Sequence, residues 1–333
     1  MPAIVRSRIT SISLVACGAL VALLGLPAIA SAGNGGFAPV PPESPNAEGI
    51  TSSYWFVSIF CFAIFLLVEG LLVAFVVRYR RRNRPRDADG AQIHGANRLE
   101  LAWTVAPVVI LFAIVAFVLA KLPGIQDVPA AAGGQENLVV EITGTQFTWE
   151  YRYPNGVVAV DRMRAPAGRA VELRITAPEW DVIHSWWIPA LGGKIDAIPG
   201  TVNETWFKAK RPGVFYGQCA ELCGIYHAKM NAAVEILPAT QFDAWLAERA
   251  EQQQAGTSPL GEELWRGSCA KCHGLSGEGG FGPRIAGTGL VSDADAIARL
   301  VREGRGEMPS VGRDWDDAQL DALTGYLEEN LGS

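Results

Sequence analysis

The chain has 333 residues and a formal charge of −6, enough length for two or three domains. A slightly acidic balance argues against nucleic-acid binding and fits a cationic partner. Only four histidines (His94, His184, His227 and His273) and six cysteines are present, so any metal site draws on few candidates.

Residues 1–32 have the build of a signal peptide. Arg6 and Arg8 come first, an apolar run from Ile9 to Leu26 follows, and Ala30-Ser31-Ala32 forms an A-x-A cleavage site before Gly33. Leu14-Val15-Ala16-Cys17 resembles a lipobox, so lipidation at Cys17 is a second reading; it ranks below cleavage after Ala32 because the apolar core ahead of the cysteine is very short. Residues 33–50, rich in Gly and Pro, read as an exposed leader.

Residues 51–125 read as two membrane helices with a basic loop between them. Tyr54 to Val77 is apolar except for Ser58 and Glu69, and Leu101 to Leu122 forms a second span closed by Pro123-Gly124. The arginine-rich stretch from Arg78 to Arg86 lies between the spans, which places that loop in the cytoplasm and everything after Lys121 outside. Cys17 and Cys61 sit in apolar runs and read as small buried hydrophobes. Glu69, deep in the first span, should face protein rather than lipid. Glu100 opens the second span and reads either as an interfacial acid or as a proton entrance.

Residues 126–238 change character. Leu138 to Thr143, Val157 to Val160, Ala170 to Ile175 and Ala233 to Leu237 are β-rich runs separated by Pro and Gly, the pattern of a sandwich or barrel. Such a scaffold presents functional residues on loops gathered at one end. Cys219-Ala220-Glu221-Leu222-Cys223-Gly224-Ile225-Tyr226-His227-Ala228-Lys229-Met230 packs two thiols, an imidazole and a thioether into one short segment. Soft sulfur donors with imidazole select copper, and a mononuclear blue-copper site needs only one Cys. The second thiol therefore argues for a dinuclear copper centre with bridging cysteines. Each copper still needs one His and one weak ligand; Met230 and the carbonyl of Glu221 serve as the weak pair. His184, in Asp181-Val182-Ile183-His184-Ser185-Trp186-Trp187, is the other His of this region and the candidate for the missing ligand, expected on a loop just after a strand. A histidine beside two Trp is more often a satisfied core residue, and the ligand requirement is what reverses that weighting.

A polar, helix-like stretch from Ala239 and the flexible Ala255-Gly256-Thr257-Ser258 form a linker over residues 239–258, and a third module fills 259–333. Its Cys269-Ala270-Lys271-Cys272-His273 is the C-x-x-C-H of covalent haem attachment, with His273 as an axial ligand. A redox dithiol would require a βαβ setting that this segment lacks. Met308 is the only Met beyond that motif and the candidate second axial ligand; His/Met ligation belongs to electron-transfer cytochromes. Asp293 to Glu303 and Asp317 to Leu331 carry apolar residues at helical spacing.

With those motifs assembled, nearly the whole mature chain resembles subunit II of a haem–copper cytochrome c oxidase, of the kind carrying a fused C-terminal cytochrome c domain (the caa3-type arrangement). The resemblance implies a multidomain fold: a two-helix transmembrane hairpin, an all-β cupredoxin-like domain and a small all-α cytochrome c domain. It implies a dinuclear copper A centre on His184, Cys219, Glu221 (by its carbonyl), Cys223, His227 and Met230, and a covalent haem c. The Glu221 side chain is implied to help hold Mg²⁺ or Mn²⁺ at the boundary with subunit I, which Lys194 to Gly200 also faces, and Glu100 to stand at the mouth of a proton channel. The implied activity is electron transfer from a donor, through the haem and copper A, to subunit I, which reduces O2 and pumps protons; the O2 site lies in that other chain. Implied partners are subunits I and III and a donor such as a cytochrome c or a quinol–cytochrome reductase, at a bacterial plasma membrane with both metal domains outside.

One departure stands out. The family usually has an electron-accepting Trp after a G-x-Q; here Gly144-Thr145-Gln146 is followed by Phe147, with Trp149 two positions on. Phe147 and Trp149 are candidate electron-path aromatics or strand-packing residues. A nitrous oxide reductase would need a large propeller, for which there is no repeat. A copper-delivery factor would have no use for a covalent haem, and a quinol-oxidising subunit II lacks the copper ligands.

Overall fold

A computed structural model describes residues 38–80, 92–131, 136–256 and 259–332. The expected signal peptide, Cys17 and most of the arginine-rich loop lie outside the described residues.

Two helices, α1 (Pro45–Tyr79) and α2 (Asn97–Gln126), are 35 and 30 residues long. A bilayer core needs about 20 apolar residues, and both helices are long and apolar enough to cross one. They meet where Phe56 stacks on Phe117, with ring centroids 4.0 Å apart. Glu69 and Cys61 are exposed on α1. Cys61 is thus not the buried hydrophobe its apolar run suggests: an apolar neighbourhood on a membrane helix places a residue on the outer surface rather than in a core.

The leader expected to be exposed over residues 33–50 ends earlier than that. Pro45 starts α1 at a position where its missing N–H costs nothing, and Ser44, Asn46 and Ala47 are buried. Ser44 Oγ donates to Asn46 Oδ1 at 2.6 Å and accepts from Lys208 N at 2.9 Å, while Asn46 Nδ2 donates to the carbonyl of Trp206. Polar composition signals exposure only when the polar groups have no partner waiting, and here the β domain supplies one for each.

That domain is a sandwich of two five-stranded sheets. Its strands are β1 (Leu138–Thr145), β2 (Thr148–Arg152), β3 (Val158–Val160), β4 (Arg162–Pro166), β5 (Val171–Thr176), β6 (His184–Trp187), β7 (Ile195–Ala197), β8 (Asn203–Phe207), β9 (Gly213–Cys219) and β10 (Asn231–Leu237). The orders are β3-β2-β1-β5-β8 and β4-β10-β9-β6-β7. Alternation in β1 buries Leu138, Val140 and Ile142. Trp149 and Tyr151 fill the space between the sheets, where the Tyr151 hydroxyl accepts from Trp186 Nε1 at 3.2 Å.

The helix-like stretch expected from Ala239 is a helix, and it packs on the sandwich; Thr257 and Ser258 of the expected flexible segment lie outside the described residues. Helix α3 (Ala239–Gln254) lies on the sandwich: Phe242 is fully buried, and Gln253 Nε2 donates to Val158 O at 2.8 Å while its Oε1 accepts from Val158 N at 3.1 Å. Beyond it, α4 (Leu260–Leu264), a π-turn (Trp265–Cys269) and α5 (Ala270–His273) run on continuously, followed by α6 (Ala294–Glu303) and α7 (Asp317–Leu331). Asp293 caps α6, and Asp316 with Gln319 forms a capping box on α7. The core of this helical module (Trp265, Val301, Leu323 and Leu327 among others) includes Val158 and Val160 of the sandwich. Two modules that share a core are docked.

Replacing Asn46 by Ala leaves the Trp206 carbonyl and the Ser44 hydroxyl short of a buried partner, a loss of about 1–3 kcal/mol. Thermal denaturation of the detergent-solubilised chain should show a lowered midpoint; an unchanged one would mean the junction between α1 and the sandwich contributes little.

Candidate copper centre and haem crevice

Strand β9 ends at Cys219 and β10 starts after Met230, so the loop between them is pinned at both ends, with Cys219 N donating to Met230 O at 2.8 Å. A 3-10 turn at His227–Lys229 folds the loop back on itself. The neighbour of β9 is β6, which opens with His184 and pairs Trp186 opposite Cys219. His184 therefore begins a strand rather than ending a loop, and it reaches the cysteines through sheet pairing.

Cys219 Sγ and Cys223 Sγ are 3.9 Å apart, Cys223 Sγ is 3.6 Å from His227 Nδ1 and 3.8 Å from Met230 Sδ, and Cys219 Sγ is 3.2 Å from Glu221 O. Ligand atoms of His184, Cys219 and Cys223 all lie within 4.8 Å of one another. A disulfide needs about 2.05 Å, whereas 3.9 Å is less than two metal–thiolate bonds of about 2.3 Å, so one ion can touch both sulfurs. His184 is fully buried with neither ring nitrogen hydrogen-bonded, and the Asp181 carboxylate is 3.6 Å from Nε2. A desolvated imidazole without a partner is costly unless something is meant to bind it. This donor set fits soft metal ions. The two sulfurs lie too close for both thiols to ionise freely: the contact with Cys223 holds the Cys219 thiol well below the usual thiol range, while the same contact and burial push Cys223 up.

The turn between β1 and β2 clamps this loop. Gln146 N donates to Asp181 Oδ2 at 2.9 Å, and Gln146 Nε2 donates to Cys223 O. Gly144 lies so close to the site that a Cβ there would come within 2.8 Å of Trp149 and 3.3 Å of His184. Trp149 meets the His184 ring edge-on at 6.0 Å.

In the helical module a cavity of ≈ 400 Å³ is lined by Cys269, Cys272, His273 and Met308 together with apolar side chains such as Leu300 and Leu323. His273 Nδ1 and Pro283 O are 2.8 Å apart, so the ring donates there and leaves Nε2 as the ligating nitrogen. A Cβ at Gly282 would stand 2.6 Å from that ring. Met308 is presented by a reverse turn in which Arg305 N donates to Met308 O at 3.0 Å. Burial pushes the Cys269 thiol up to about 12 and also raises Cys272, although the Tyr226 hydroxyl acts on Cys272 in the opposite direction. Two thiols, an oriented imidazole and a thioether around an apolar cavity fit a covalently attached haem.

Gln146, Phe147, Ile225 and Tyr226 of the sandwich line the same cavity. Lys271, between the two haem-motif cysteines, donates to Phe147 O at 2.8 Å and pairs with Asp161 at 2.6 Å. The crevice and the copper-type loop thus share a wall.

Comparison with known proteins gives three family profiles along the chain: cytochrome c oxidase subunit II, transmembrane domain, over residues 36–120; its periplasmic domain over 157–237; and cytochrome c oxidase, cbb3-type, subunit III, over 258–327. Cytochrome c oxidase subunit 2 of Alkalihalophilus pseudofirmus is 31% identical over 312 residues, covering 86% of this chain and 88% of that one. The chain belongs to the cytochrome c oxidase subunit 2 family. The subunit 2 of Bacillus sp. PS3 is 32% identical over 285 residues, covering 75% of this chain and 79% of its own. The crystal structure of the periplasmic domain of subunit II from Bradyrhizobium japonicum is 36% identical, covers 38% of this chain and 98% of its own, and has a TM-score of 0.34. The chain is a cytochrome c oxidase subunit with a membrane hairpin, a β-sandwich domain and a cytochrome c domain.

The remaining predicted positions of this subunit II are spread more widely. The Glu221 side chain is 44% exposed, with its Oε2 3.8 Å from Lys194 Nζ; Lys194 also holds Asp196 at 2.9 Å. Glu100 stands in the first turn of α2, where its Oε1 accepts from Ala96 N at 3.0 Å, a capping role. Phe147 reaches the haem crevice, whereas Trp149 is fully buried and belongs to the copper side. Sequence reasoning gave no role of their own to Gln146, Lys271 and Tyr226, although each lies inside a segment it had singled out.

Gly144→Val should push on Trp149 and His184. Elemental analysis of the purified chain is expected to show lowered copper with haem retained, and wild-type copper content would contradict the crowding at His184.

Proposed function

We propose that this chain is the electron-transfer subunit of an aerobic respiratory oxidase, relaying electrons from an external donor to the haem–copper catalytic subunit I, where O2 is reduced to water and protons are pumped. The wall shared by the haem crevice and the copper loop is the observation that carries this reading. When bound, the haem and the copper pair supply one-electron redox chemistry. Cys269 and Cys272 would hold the haem covalently, with His273 and Met308 as its protein iron ligands. His184, Cys219, Cys223, His227, Met230 and the Glu221 carbonyl would hold the two coppers of a copper A centre, with both thiolates shared by the pair. The buried surroundings of His184 and the cysteines keep water off the ligands. Lys271 fixes the haem motif against the Phe147 turn, so the internal transfer has no docking step.

Exposure of the Glu221 carboxylate beside Lys194 and Asp196 supports a Mg²⁺ or Mn²⁺ position shared with subunit I. Glu100, besides capping α2, supports a role at the mouth of a proton channel. The two long apolar helices and the arginine-rich sequence between them support a place in a bacterial plasma membrane with that loop inside and both redox domains outside, beside subunits I and III, with a cytochrome c or a quinol–cytochrome reductase as donor.

Full chain matured in a periplasm should contain about two coppers per haem iron, with a mixed-valence copper signal by electron paramagnetic resonance. Zinc in place of copper, or haem lost on denaturation, would overturn the reading. Met308→Ala should lower the haem reduction potential, because a thioether ligand raises it; an unchanged potential would remove Met308 from the iron.

A further inference from the structure

Resting on the relay reading, the geometry points to Tyr226 as the residue that couples the haem to the copper pair. It is bonded directly to His227, whose Nδ1 lies 3.6 Å from Cys223 Sγ, so everything on the copper side of it is a covalent path to a ligand. On the other side its ring lines the cavity that also holds Cys269, Cys272 and His273. Phe281 of the cytochrome domain meets the ring edge-on at 5.4 Å, Phe147 does so at 5.7 Å, and Lys229 Nζ sits 4.8 Å from its centroid. The ring is held from several sides.

The competing route starts at Phe147, at the position where the family carries its electron-accepting Trp. From there the path either crosses the hydrogen bond from Gln146 Nε2 to Cys223 O, or continues along β2 to Trp149 and jumps to His184 across a 6.0 Å ring contact. Trp149 does not line the haem cavity. Electronic coupling decays more steeply across a gap than along bonds. Tyr226 needs one non-bonded step, across the cavity it lines, before a wholly bonded path to a copper ligand, whereas the Phe147 routes need a second one.

In this step one electron leaves ferrous haem, which becomes ferric, and the copper pair gains it. No proton moves, and Tyr226 ends as it began.

The test uses the full, metal-loaded chain, with one electron injected photochemically into the haem and its onward transfer followed by transient absorption at the haem and copper bands. Tyr226→Leu should slow the transfer several-fold, while the haem–copper separation (by pulsed electron paramagnetic resonance) and both potentials stay as in the wild type. Tyr226→Phe, which keeps the ring, should transfer at close to the wild-type rate. Phe147→Leu should change the rate little. A wild-type rate in Tyr226→Leu, a slowing accompanied by a changed separation or potential, or an equal slowing in Phe147→Leu would overturn the assignment. A wild-type chain whose reduced haem passes no electron to copper would overturn the relay reading itself, before any variant is compared.

Discussion

The turn between β1 and β2 is the constraint on which both sites depend. Just before it, Gly144 of β1 lets Trp149 and His184 come into contact; in the turn Gln146 ties Asp181 and the Cys223 carbonyl together, and the Phe147 carbonyl receives Lys271 from the C-x-x-C-H segment. Three residues of one short stretch therefore touch His184, the loop after β9 and the cytochrome domain. A shift of this turn would be felt by both centres at once. Well-packed interiors transmit such shifts rather than absorbing them.

Fusion of a cytochrome domain to a copper-binding domain can work in two ways. A loose tether raises the local concentration of one partner to the millimolar range, whereas a docked domain removes the encounter altogether. The packing here is of the second kind. Val158 and Val160 complete the cytochrome core, Gln319 Nε2 donates to Glu150 Oε2 at 2.7 Å, and Trp180 Nε1 donates to Asp314 Oδ2 at 2.8 Å. The helical module also covers part of the loop after β9, with Phe281 against Tyr226 and Lys271 on the Phe147 carbonyl.

Much of this was legible in the residues because ligand chemistry is local. Cys219, Cys223, His227 and Met230 lie within one segment, and Cys269, Cys272 and His273 within another, so residue type and spacing pointed to both clusters, and the structure brings their side chains together. His184 was found by elimination among four histidines, but its place at the start of β6 was not, since strand pairing with β9 is a long-range event that short β-rich runs do not encode. The burial of Ser44 and Asn46 was missed for a related reason: polar residues look exposed until their partners on β8 and the following loop are known. Tyr226 was hidden differently. Its role depends on Cys272 and Phe281 from another domain, and nothing in a tyrosine between Ile225 and His227 indicates which surface will cover it.

The central claim, that haem and copper operate as one docked unit, is tested most directly by the kinetics of electron passage between them in the unmodified chain. After photochemical reduction of the haem, its reoxidation should match the reduction of the copper centre in a single phase whose rate does not change with protein concentration or ionic strength. A rate that rises with concentration, or that shifts with salt as an encounter between charged surfaces does, would contradict the account.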